Sequence, residues 1–243
     1  MAMKILTQSK FTMETKTVKE FLKLIPKINA PLSFQANRNT RWLPDESSKY
    51  ISSLVTGKAP NPFILADIES CYNFAVKHNH KRDKKFFKRL LKKGYKYIVV
   101  DGNNRKINIK AFSENKFGIE PASYTLNGHP HSVYPTTKKT PDGNDHFKDL
   151  PVAIGEAFEE AEVTLHIYTE VSERELSELF IRVNSGKALN HPEKRNAINS
   201  DIADIIRDLA LTHENFLYND KTKFFTEEGV NRRDIDDFIA GCA

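Results

Sequence analysis

Asp101-Gly102-Asn103-Asn104-Arg105 places one acid, one glycine, two amides and an arginine directly after the apolar run Tyr97-Ile98-Val99-Val100. A reversing turn needs only a glycine and one Asn or Asp, so the remaining polar groups point to a ligand. A glycine here opens a backbone conformation closed to other residues, and main-chain N–H groups can then converge on an anion. Arg105 offers a bidentate fork to a phosphate, and the two amides suit further oxygens or a base edge. Asp101 suits holding an arginine, ordering a magnesium-bound water or acting as a base. The plain alternative is a tight turn laddered by Asp and Asn.

A second constellation lies in LFIRVNSGKALNHPEKRNAI, residues 179–198. Asn184-Ser185-Gly186-Lys187 reads as a helix end, and Asn190 with Pro192 as the start of the next helix. Asn190 as N-cap and Glu193 as its acidic partner are explained by capping alone. Arg195 and Asn196 are not, and a helix N-terminus attracts anions. Asn184, Lys187, Arg195 and Asn196 are therefore candidate phosphate contacts, with Glu193 a candidate for polarising a water or hydroxyl.

The third candidate is a basic surface. Between Lys77 and Lys93 there are nine Lys or Arg against one Asp, which demands an exposed cationic face. Lys84, Lys85, Lys88, Arg89 and Lys92, joined by Arg41 elsewhere, suit contacts to DNA phosphates that do not read sequence. A solvated face balancing the acidic stretch Glu156 to Glu162 is the rival reading. His78-Asn79-His80 sits at the joint of a split helix, and solvated histidines are expected there rather than metal ligands. His129 and His131 read the same way.

These groups need a scaffold, and local signals outline one. Residues 17–25 read as a helix capped by Thr17 and ended by Pro26, and Pro44 and Asp45 open a second helix closed by Gly57. PFILADI reads as a strand, residues 68–93 as two helical halves with Gly94 after the second, and Tyr97 to Val100 as a buried strand. KINIKAF reads as a returning strand or a helix start. Residues 121–149 read as loops, with one hairpin at Pro141-Asp142-Gly143. A short helix, a strand over 163–168, a helix capped by Ser172 with Glu175 in the box position, and a helix over 191–211 complete the chain. The fold class is α/β.

The 243 residues are 39% hydrophobic, enough for a real core, and carry a formal net charge of +5, which permits a nucleic acid or nucleotide partner. Cys71 and Cys242 are too few and too far apart for a disulfide framework or a cysteine zinc site. A reducing cytoplasm fits. The polar start is unlike a signal peptide, and no segment is apolar over the roughly 18 residues a membrane helix needs. Ile235, Phe238 and Ile239 open an amphipathic pattern just before the last residue, so a continuation beyond Ala243 is expected.

Taken in order, RW…YISSLVTG…PFIL…VVDGNNR…LFIRVNSGKALNHPEKRNAI…RRD resembles the DUF262 domain, a branch of the ParB/sulfiredoxin-like superfamily. The likeness covers roughly residues 17–240. It implies a ParB-like core over 1–170, a small mixed sheet surrounded by helices, with a helical extension over 171–243. It also implies a signature loop that binds a nucleoside triphosphate with Mg²⁺ and, in several relatives, hydrolyses it to gate an attached DNA nuclease in anti-phage restriction systems. Asp101, Gly102 and Arg105 match the signature, and Asn184, Glu193, Arg195 and Asn196 match the second block. Arg41 and Trp42 match the family's opening motif imperfectly. Asn103 and Asn104 stand where the family has Gln-Gln, the same amide on a shorter arm, so binding is implied more directly than hydrolysis. Expected partners are DNA, a nucleoside triphosphate, and a second copy or a C-terminal nuclease. The alternatives are a non-catalytic DNA-binding or antirestriction-like module, and a phosphotransferase using the same pocket.

Overall fold

In a computed structural model the described residues are 10–30, 42–59, 61–133 and 145–183, with isolated helical positions between 202 and 239. In chain order they form β1 (Lys10–Thr17), α1 (Val18–Leu24), β2 (Ile28–Asn29), α2 (Pro44–Val55), β3 (Phe63–Asp67), α3 (Ile68–Lys77), α4 (Lys81–Lys92) and β4 (Tyr97–Asp101). There follow α5 (Asn103–Ser113), β5 (Gly118–Ile119), β6 (Ala122–Leu126), β7 (His129–Val133), β8 (Asp145–His146), α6 (Val152–Glu160), β9 (Glu162–Thr169) and α7 (Glu173–Val183). The protein is mixed α/β. Among the described residues no helix is long and apolar enough to cross a membrane.

The main sheet runs β1-β9-β3-β4-β2, with β1/β9 and β3/β4 antiparallel and β9/β3 and β4/β2 parallel. Alternate residues feed two cores. Phe63, Leu65, Tyr97, Val99, Leu165 and Ile167 join α1, α2, α5 and α6 on one face. Ala66, Ile98 and Val100 join α3, α4 and α7 on the other. A strand covered on both sides can be apolar throughout, and this explains the unbroken Tyr97–Val100 run.

Local chemistry places the helices. Thr17 and Glu20 close a full capping box on α1, Asp67 caps α3 by accepting from the Ser70 N–H at 2.8 Å, and Ser172 with Glu175 starts α7. Gly57 and Gly94 follow α2 and α4 with positive φ.

One expectation is corrected. Residues 121–133 are not loop: β6 and β7 pair as a hairpin around Asn127 and Gly128, whose φ values of +50° and +81° suit the Asn-Gly turn of tight hairpins. Pro141-Asp142-Gly143, where the sequence predicts the hairpin, lies outside the described residues. Strand β1 carries no clear sequence signal, yet it pairs along all eight residues with β9, Lys10 opposite Thr169. The ambiguous KINIKAF is helical and lies within α5.

Candidate functional site

The site grows from the end of β4. The chain emerges at Asp101, turns through Gly102 at φ +99°, and enters α5 at once. That turn is reserved for glycine twice over. A Cβ on Gly102 would lie 2.6 Å from Cδ1 of Phe63, a buried core ring, and its φ is one that side-chain-bearing residues rarely adopt.

Arg105 is only 8% exposed. Its Nη2 donates to the Asp101 carboxylate at 2.6 Å and to the Pro62 carbonyl at 3.0 Å, and its Nη1 donates to the Asn61 carbonyl. The guanidinium lies over the Phe63 ring, 4.8 Å from its centre. Asp101 therefore organises Arg105, and together they stitch the segment before β3 to the first turn of α5. The fork that the sequence offers to phosphate is occupied by this stitching.

The rest of α5's first turns is polar and enclosed. Asn103 Oδ1 is buried and has no hydrogen-bond partner among the described residues. Asn108 is almost wholly buried, and its Nδ2 donates to the Asn104 carbonyl at 2.9 Å. Lys106, which the sequence reading passes over, is 9% exposed. Burial, with a smaller push from Lys110, brings its amine down to about 8. Only Ile109 and Phe112 explain by apolar packing why the helix sits here.

Helix α2 forms the adjoining wall. Burial pushes the Tyr50 hydroxyl above its ordinary range, against the opposing influence of the Arg105 charge. Trp42 meets Tyr50 edge-on at 5.2 Å. Trp42 thus packs on Tyr50 of α2, the helix that contacts α5. Arg41, Asn184, Lys187, Glu193, Arg195 and Asn196 lie outside the described residues.

The basic helix α4 belongs to the opposite face of the sheet. Phe86, Phe87 and Leu90 are buried against α3, β4 and α7, and Lys81, Lys85, Lys88, Arg89, Lys92 and Lys93 are exposed. Arg82 approaches Glu173 at 3.6 Å, Lys84 donates to Asn79 at 3.1 Å, and Arg89 lies near the Phe86 ring. Lys81, Lys85, Lys88 and Lys92 have no acidic partner among the described residues, and they fall at the spacing of one helical stripe. Asp83 turns inward, its carboxyl raised by burial despite His80 at 3.4 Å. Cys71, on the buried face of α3, has its thiol pushed up to about 12 by burial and is held protonated.

An open groove of about 470 Å³ beside α3 contains none of the signature residues. Several of its groups already have tasks. Asp67 caps α3, Ser70 Oγ accepts from the Glu170 N–H, and Glu170 pairs with Lys10 at 2.9 Å. Among the described residues no group of three or more His, Cys, Asp or Glu could hold a metal.

No family model, no curated protein and no solved structure matches this chain.

Proposed function

We propose that the chain is a nucleoside-triphosphate-binding α/β domain of the DUF262 type that acts on or senses DNA. The observation that carries this reading is the first turn of α5, where a glycine-only bend delivers buried polar groups instead of a hydrophobic face. The leading N–H groups of a helix have no carbonyl within the helix to bond, and an anion satisfies them. Gly102 lets the backbone approach the phosphates. Asn103 and Asn104 orient the ligand, and Asp101 with Arg105 keeps the cradle rigid. Asn184, Lys187, Arg195 and Asn196 close the pocket in this reading, with Glu193 polarising the attacking water. Mg²⁺, if bound with the nucleotide, would neutralise phosphate charge, and Asp101 has one oxygen engaged by Arg105.

Labelled ATP and GTP, incubated with the protein with and without duplex DNA, test the reading. Binding is expected for at least one nucleotide, with hydrolysis that responds to DNA. Absence of any nucleotide binding would remove it.

One observation favours a second reading, a non-catalytic DNA-binding module. The α4 cations stand exposed and largely unpaired on the far side of the sheet from α5, and a stripe of this kind binds a phosphate backbone without help from a nucleotide. Tight, salt-sensitive DNA binding that no nucleotide alters would select it.

A further inference from the structure

Among the described residues Lys106 is a largely buried cation without a counter-charge. Proteins seldom enclose a lysine unless an acid pairs with it, because the ammonium loses its water and gains nothing in return. The acids of the neighbouring segments have other work. Asp101 is bound to Arg105. On α1, Glu20 accepts from the Thr17 N–H, and on α2, Glu46 accepts from the Leu43 N–H at 3.0 Å; both helices pack on α5. No hydrogen bond or ion pair satisfies Lys106 among the described residues.

A second unsatisfied group sits beside it. Asn103 and Lys106 are three residues apart, hence neighbours on one face of α5, and helical side chains lean toward the N-terminus. Lys106 therefore lies over the turn that begins at Asn103, whose buried Oδ1 also has no partner among the described residues. A largely buried cation and a fully buried acceptor atom thus lie three residues apart on α5, where the helix N-terminus favours negative charge. A purely structural helix would fill these positions with apolar side chains or pair them with each other.

We propose that Lys106 is the cationic contact for a phosphate of the bound nucleotide, the task the sequence signature assigns to Arg105, and that Asn103 Oδ1 takes a hydrogen bond from the same ligand. The donor to Asn103 is a hydroxyl, either of the sugar or of a protonated phosphate oxygen. This rests on the nucleotide reading above. The lowered amine of Lys106 accords with it, as a cation held ready without its anion.

The test uses the full chain, with tripolyphosphate and ATP as probes in the presence of Mg²⁺, followed by thermal melting and calorimetric titration. Lys106→Met removes an uncompensated buried charge at nearly constant volume. Without ligand it is expected to melt higher than the wild type by roughly 3 °C or more, and to bind both probes at least about 10-fold more weakly. Asn103→Ala, which leaves the buried charge in place, is expected to weaken ATP by several-fold and provides a second measurement if Lys106→Met does not fold. If neither probe binds the wild type, the nucleotide reading fails and takes this proposal with it. If the wild type binds and both variants bind as tightly, the nucleotide reading stands and the assignment of Lys106 and Asn103 is wrong. A Lys106→Met protein that melts lower and binds unchanged shows Lys106 to be packing, which also overturns it.

Discussion

Helices α4 and α5 flank the same strand and are both rich in charge, but they treat it in opposite ways. Helix α4 separates its faces: Phe86, Phe87 and Leu90 go inward, and lysines and arginines line the outside. Helix α5 does not, and Arg105, Lys106 and Asn108 are buried together with Ile109 and Phe112. Charge left in water is screened and individually dispensable. Charge taken out of water is costly, specific and hard to replace. The contrast assigns diffuse electrostatic work to one helix and local recognition to the other.

Four substitutions or conditions test that contrast, beginning with the largest effect. Gly102→Ala combines a disfavoured backbone with a clash against Phe63, and a loss of about 4 kcal/mol or failure to fold is expected in urea denaturation. A change below 1 kcal/mol would show that the turn relaxes readily and that the cradle is not rigid.

Next is the pH dependence contributed by Lys106. Its amine is at about 8 in the folded protein against an ordinary 10.5. Below about 8 both states carry the proton, and the folded state bears the whole desolvation penalty. Between 8 and 10.5 the unfolded chain holds a proton that the folded one has shed, so stability rises with pH. Above 10.5 the penalty is gone. At neutral pH it amounts to about 3 kcal/mol. The difference between wild type and Lys106→Met should shrink across that window, and a difference that is flat with pH would place Lys106 in water, like the lysines of α4.

Asp101→Asn removes the carboxylate from a buried arginine that keeps its two carbonyl partners. A loss of about 2 kcal/mol is expected in denaturant titration. A neutral result would make Arg105 a free ligand-binding group after all.

The smallest effect on stability belongs to α4. Changing Lys85, Lys88, Arg89 and Lys92 together to Gln should move stability by less than about 1 kcal/mol. In the same variant, the slope of log affinity for DNA against log salt should fall by about 4 if each contacts one phosphate. A large loss of stability would mean that α4 is not the solvated helix it resembles, and an unchanged slope would remove it from the DNA surface.

Much of the fold is legible in the residues. Thr17 with Glu20, Asp67, and Ser172 with Glu175 announce helix starts, because a cap is satisfied within three residues of itself. The run Tyr97–Val100 announces a strand covered on both faces. Strand β1 is not legible, since KFTMETKT is polar on one face and mixed on the other and owes its conformation to β9, more than 140 residues away. The β6–β7 hairpin is legible at Asn127-Gly128, a stronger turn signal than Pro141-Asp142-Gly143. Of the candidate site, the Gly102 bend and the residues that build it stand in the sequence. The engagement of Arg105 and the burial of Lys106 do not.

By itself the sequence determined where helices begin, where the buried strand ends, and that a glycine-led polar turn follows it, because caps, periodicity and turn chemistry are satisfied by near neighbours. Only the tertiary structure decided which charges keep their water. That outcome depends on α2, on the carbonyls of Asn61 and Pro62 and on the Phe63 ring, all supplied by chain at least 40 residues from Arg105. Desolvation is a property of what packs against a residue, and nothing in the identity of Arg105 or Lys106 encodes it.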